Sequence, residues 1–417
     1  SGAVTVTATN SSKITSVAAA IAASYSSPSL QKGNALGTGS SSYALAAGIS
    51  INAVTTDTIA KLVNSGTDSD PLQAGTVTVS ATDTESRIIG FGGGLAIGLS
   101  LPGRGAGSST AAAAGIAVAI NTIDQDLDAF VEDVVCEIAG DVNVSATSAA
   151  EINAYAIGVA LAVATGGTTG GATRAFSGAG SVTVNTIRGK VRGRTRRSRF
   201  STTGLGKFNL DANDSRTITA DAGGVAISVA YGKAGSGNST SVAVGAAIAI
   251  NEIEQAVVEA SVADSTIVTV GATEISASST TTIDALALAG AAAVGVSSKG
   301  GTAFSGAGAY TSNDIDVDLT ATVTGSSVTA TGVAVKTTNN ATIDAETYGF
   351  SIAAGVSTGK GAGAALSVGV SLAYNTATID QVSSIDTSTV TATSGDLAIA
   401  ATNAAKIEAI SVAASVA

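Results

Sequence analysis

Seven of the chain's twenty Lys and Arg residues fall between positions 188 and 199, where residue types come closest to forming a site. Arg188, Lys190, Arg192, Arg194 and Arg196 alternate with uncharged residues, so on a strand they share one face; Arg197 and Arg199 follow. Counting from Asn121, Asn185 and Asn251 aligns Arg188 with Asp124 and Glu254, Lys190 with Asp126, and Arg192 with Asp128. Glu252 adds to the acidic side, and Asp314, Asp316 and Asp318 continue it. If these segments stack, a basic row lies between acidic rows. The plain expectation is a ladder of cross-strand charge pairs that fixes register, each pair worth about 0.2–1 kcal/mol. The sharper one is a docking patch for an acidic neighbour, such as another filament or an anionic polysaccharide. Arg194-Thr195-Arg196-Arg197 also has the composition of a processing-protease site.

Other chemistry finds little material. The chain has no His, so no Ser–His pair exists for nucleophilic catalysis. Asp124, Asp126 and Asp128 have the opening spacing of a calcium loop. Ala129 and Val135 stand where such a loop needs Gly and Glu, so a solvated acidic face is expected, with weak Ca²⁺ binding as the alternative. No other cofactor is expected. Gly92-Gly93-Gly94 and the segment Gly103 to Gly107 precede no helix or phosphate-loop lysine, and read as turn or tight-packing glycines. Cys136 is the only cysteine and alternates with Val134 and Ile138, as a small buried hydrophobe would. Net charge is −11, and aromatic partners for bases are scarce, so nucleic acid is not expected as a partner.

The elements that must position these residues come from a repeat. Gly-x-(apolar)-x-(apolar)-x-Ala recurs at Gly2, Gly75, Gly140, Gly206 and Gly395, with weaker copies at Gly271 and Gly332. The spacings run from 61 to 73. A second marker, an Asn after a small-apolar run, falls at Asn52, Asn121, Asn185, Asn251, Asn313 and Asn375, spaced 62 to 69. Two markers sharing one period imply about six stacked units of roughly 65 residues. Approximate units are 11–83, 84–149, 150–215, 216–281, 282–341 and 342–404, with partial units at 1–10 and 405–417. Alternation such as Ile315, Val317, Leu319, Ala321 and Val323, with Gly, Asn and Ser at the corners, implies strands. Polar corners are expected at Thr147-Ser148 and Thr338-Asn339-Asn340. Large side chains are few, so the layers must touch through Ala and Gly. The expected fold is an all-β, elongated β-solenoid, with rungs flattened into two close sheets. Residues 152–173 carry no charge, but their glycine pairs and β-branched residues read as a strand buried on both faces plus a turn, with no membrane span.

The chain starts inside a closing strand, at Val4 and Val6, and stops inside an opening segment, at Ile410 and Val412. Such ends suit either a cut through a longer array or complementary edges that pair copies head to tail. The closing strands joined to Gly178-Ala179-Gly180-Ser181-Val182-Thr183-Val184-Asn185-Thr186-Ile187 resemble the repeat regions of giant bacterial surface proteins, the filamentous haemagglutinin-like and leukotoxin-like filamentous adhesins. That resemblance implies secretion, a β-helical shaft, and a role in adhesion or sheath formation at the cell surface, with no catalytic residues. The functional expectation is an extracellular structural fibre or adhesin shaft whose partners are copies of itself, a surface polysaccharide or a host surface. The alternatives are a carbohydrate-binding or carbohydrate-cleaving β-helix, and an ice-binding solenoid prompted by Thr5, Thr7 and Thr9.

Overall fold

The computed structural model describes residues 2–27, 39–102, 107–168 and 170–417; positions 103–106 of the second glycine segment lie outside them. The alternation becomes strands because one phase is buried. Ile315, Val317, Leu319, Ala321 and Val323 are at most 1% exposed, while their polar neighbours face outward.

The chain winds as a succession of coils, each built the same way. Coil three shows the plan: a long strand Val142–Thr165, a turn, a second long strand Thr173–Arg196, a corner, and a short strand Arg199–Thr202. Coil four repeats it as Phe208–Tyr231, Ser239–Ala263 and Thr266–Val268. Coil five follows with Thr273–Ser297, Gly301–Thr324 and Ser327–Ala330. Coil six splits its first strand into Val333–Asn339 and Thr342–Ser357, then continues with Ala364–Asp386 and Thr389–Ala392. Coil one (Val4–Ala74) and coil two (Val77–Ile138) precede these, and Leu397–Val416 opens a seventh.

The strands form two 11-stranded parallel sheets, and Ser109–Ile138 carries the second sheet around the corner by pairing with both Thr173–Arg196 and Arg199–Thr202. Register is continuous, as in the column Val142, Phe208, Thr273, Val333 and Leu397.

The two expected corners differ. Val142–Thr165 runs unbroken through Thr147-Ser148, whereas Asn339 does end its strand. Residue type in that column does not decide the outcome, since Asp83 ends its strand and Asp214 does not. At two of the corners a side chain caps the turn: the Asp83 carboxylate accepts the Ser86 N–H, and Asn403 Oδ1 accepts the Ala405 N–H.

Each coil has a thick body and a thin wing. Bulk concentrates in the body, where Phe200 and Phe208 lie 5.5 Å apart among Leu127, Ile138 and Leu210. In the wing the facing residues are almost all small, with Ala111, Ala113, Ala117 and Ala119 opposed by Ala154, Ala156, Ala160 and Ala162. A Cβ added at Gly94 would sit 2.2 Å from the Ile116 carbonyl oxygen, and one at Gly224 would sit 2.0 Å from that of Ala246. Glycine is therefore what lets one sheet's backbone lie against the other, closer than the usual ~10 Å between packed sheets. The uncharged 152–173 stretch is a wing strand and turn. It is buried on one face only, since outward Ile157 is 47% exposed.

Candidate functional site

The basic segment lies on the outer face of the second sheet, one coil above the Asp124–Asp128 stretch. Arg188 Nε donates to Asp124 Oδ2 at 3.0 Å, and its guanidinium also lies 3.9 Å from Glu254 in the next coil. Asp128, although on the outer face, is covered by two guanidiniums. Arg192 lies 3.6 Å from it, and Arg194 donates to it from Nε at 3.2 Å with its plane over the Phe130 ring. Lys190 departs from the expected pairing: its backbone N–H, not its ammonium, donates to Asp126 at 2.9 Å. Arg196 sits level with Glu132, but among the described residues no carboxylate lies within ion-pair distance of it. Arg197 forks onto Asp133 at 2.9 and 3.0 Å and also reaches Glu132; this contact holds the Asp133 carboxyl below the usual range. Arg199 reaches back two coils to Asp68.

On the other side, counting from Asn251 is corrected by a bulge. Gln255, at φ 52°, is an extra residue in Ser239–Ala263. It moves the register by one, so Lys190 meets Val257 and Arg192 meets Glu259. Glu252 is not part of a mixed pair. It stacks between Thr186 and Asp314, and burial first, then Glu254 and Asp314, push its carboxyl up. Asp318 is raised likewise by burial and by Asp316 and Asp380. The Asp124, Asp126 and Asp128 carboxylates are each taken by a donor from coil three, and among the described residues no three His, Cys, Asp or Glu converge to hold a metal.

The interior holds polar rows that are more regular than the charged face. The marker asparagines form one ladder, Asn52 to Asn121, Asn185, Asn251, Asn313 and Asn375, each Nδ2 donating to the next Oδ1 at 2.7–2.8 Å. From Asn121 to Asn313 these side chains are at most 1% exposed. In that setting a row whose members satisfy one another is worth more than scattered pairs, and one missing member strands its neighbours. At the corner before the short strand, Asn64, Asp133, Arg197, Asp264, Gly325 and Thr387 all take φ between 46° and 59°. A serine follows in four successive coils. Ser198, Ser265, Ser326 and Ser388 each donate to the carbonyl two residues back and accept an N–H from the preceding coil at 3.0–3.1 Å.

The deepest charge is a pair that sequence reading did not single out. Arg216 and Asp214 have fully buried side chains 2.9 Å apart, and Arg216 Nη2 donates to the Gly189 carbonyl at 3.0 Å. Gly189 takes φ 124°, and a Cβ there would fall 1.9 Å from the Gln125 carbonyl oxygen. The signal was present: Ala212, Asp214, Arg216 and Ile218 share one phase, so a buried Ile implies a buried Arg. The corner serines could also have been found, at spacings of 67, 61 and 62.

Val4 and Val6 point inward beneath Val77 and Val79, whereas Ile410 and Val412 lie on the outer face over Glu346 and Tyr348. The two end pairs therefore occupy opposite faces of one sheet. Cys136 is 1% exposed and donates to the Leu72 carbonyl; burial pushes its thiol up to about 11, which leaves little thiolate at neutral pH. Thr5 and Thr78 continue as Asn143, Asn209, Glu274 and Ala334, so that column is not a rank of threonines. Among the described residues no helix is long and apolar enough to cross a membrane. No family model, curated protein or solved structure matches the chain.

Proposed function

We propose that this chain is a length of extracellular structural shaft, part of a fibre, filament or adhesin stalk, and not an enzyme. The observation that carries the proposal is the unbroken Asn ladder from Asn52 to Asn375. It runs along the coil axis, and each coil offers the next the same edge, so length can grow without any change of design. The charges on the outer face support the same reading, because Arg188, Arg192, Arg194 and Arg197 spend their donors on the neighbouring coil. A surface location, an adhesive target and pairing with further copies along the axis belong to this proposal. They rest on the composition and on the resemblance to filamentous adhesin repeats.

Negative-stain imaging and immunogold labelling of native material test it together. Label in rows along surface fibres is the expected result. Label confined to the cell interior, or to dispersed compact particles, would overturn it.

A further inference from the structure

The outer face of the wing is as apolar as its interior. On the second sheet the outward positions are alternate residues of 41–51, 110–120, 174–184, 240–250, 302–312 and 364–374, and Arg174 is the one charge among them. Large apolar side chains stand open there, among them Phe176 at 38%, Phe304 at 42% and Val244 at 52% exposure. A shallow depression of about 540 Å³ lies on this face, with Tyr43, Leu45, Phe176 and Val244 around a floor that includes Gly178. The first sheet's outer face differs, since Asp221, Asp284 and Glu346 interrupt it at the body end.

Two features say what covers the face. The first is glycine without an internal reason. At Gly178, Gly180, Gly306 and Gly308 an added Cβ would meet nothing within 4 Å, and none of the four has a positive φ; the first sheet's outer face has one such glycine, Gly223, so what marks the second sheet is that they come in pairs on two strands. Glycine weakens a strand unless something approaches its backbone closely. At Gly94 and Gly224 that something is the facing sheet of the same wing. At the four outward glycines of the second sheet no atom of this chain makes that approach, which leaves room for a partner's backbone. The second feature is area. Eleven residues at ~3.3 Å by six strands at ~4.8 Å give roughly 1,000 Å² of flat face. A stable protein interface uses about 800 Å² per partner.

We infer that the second sheet's outer wing face packs against the same face of a second copy, its large apolar side chains seating over the partner's open glycines. Like meets like because the acids on the first sheet's outer face would be stripped of water in a mixed contact. Fluid lipid is a poorer match: it has no use for glycines that admit a backbone. This lateral pairing is independent of the shaft reading. A shaft that never pairs sideways would overturn the pairing and leave the shaft intact.

Sedimentation equilibrium of the whole chain over a wide concentration range tests it. The parent should associate. Gly178→Lys with Val244→Lys should weaken association at least about tenfold, a loss of ~1.4 kcal/mol. Ile227→Lys, on the first sheet's outer face, should leave association unchanged, and all variants should keep the parent's β circular dichroism. Val244→Cys provides a second readout: its thiol should react with maleimide more slowly where copies associate than when they are dilute, with buried Cys136 silent. A parent that stays monomeric throughout, equal weakening by Ile227→Lys, or a Val244→Cys thiol whose reactivity is the same at all concentrations would each overturn the inference. So would flotation with phosphatidylcholine vesicles that Gly178→Lys with Val244→Lys abolishes while copies never associate, since that outcome assigns the face to lipid.

Discussion

Two stretches of the same stack carry surface charge in opposite ways. Between coils two and three, acids meet bases: Asp124 with Arg188, Asp128 with Arg192 and Arg194, and Asp133 with Arg197. Between coils four and six, acids meet acids: Glu252 lies over Asp314, Asp318 over Asp380, and Asp284 over Asp344. The strands nevertheless pair in parallel register in both stretches, with a local shift at the Gln255 bulge. Register therefore cannot depend on surface charge. What the two stretches share is internal: the Asn ladder, the corner with its left-handed residue, and the apolar columns between them. Outer charges adjust how stability responds to salt and pH.

Asp214→Ala would leave Arg216 buried and unpaired, and should cost about 3–5 kcal/mol in urea unfolding. A cost below ~1 kcal/mol would mean the buried pair is not part of what holds coils three and four. Next, Asn185→Leu in the mixed stretch and Asn313→Leu in the acidic stretch should each cost about 1–3 kcal/mol, because each strands buried amide partners. Clearly unequal costs would show that the interior does not serve both stretches alike. Reversing Arg188, Lys190 and Arg192 to Glu should lower the thermal midpoint by the equivalent of about 0.2–1 kcal/mol per pair lost, more at low salt. Asp318→Lys should instead raise it slightly; no change at low salt in either variant would remove the electrostatic account.

The smallest expected effect is on pH dependence. Glu252, Asp284 and Asp318 have carboxyls raised by burial and by neighbouring acids. The folded chain then binds more protons than the unfolded one, so stability should rise as pH falls from neutral toward the ordinary values of 3.8 for Asp and 4.5 for Glu. Asp133 is lowered by Arg197, so its contribution is present above 3.8 and is lost as pH falls below it. Thermal melts at mildly acidic pH should lie above those at neutral pH, and the reverse order would contradict the assignment.

The stacking was legible because its markers repeat by residue type. An Asn every 62 to 69 residues can be read without coordinates. The corner's left-handed position was not legible in the same way, because Asn64, Asp133, Arg197, Asp264, Gly325 and Thr387 share a backbone conformation without a common residue type; only the serine that follows repeats. Counting also fails at a bulge. One extra residue, Gln255, hid the approach of Glu259 to Arg192. Arg216 lay in the buried phase of its strand, but its partner carbonyl belongs to Gly189, 27 residues away across the body. The uncharged wing stretch 152–173, apolar in both phases, implied burial on both faces; within the chain one face is covered, and outward Ile157 is 47% exposed.

Amide hydrogen exchange on a variant stripped of its outer bases, with Arg188, Lys190, Arg192 and Arg194 all changed to Ser, asks most directly what holds the coils in line. Interior control of register requires the amides of Ser109–Ile138, Thr173–Arg196 and Ser239–Ala263 to stay as protected, relative to one another, as in the parent. Collapse of protection confined to coils two and three would contradict it and return the register to the charges.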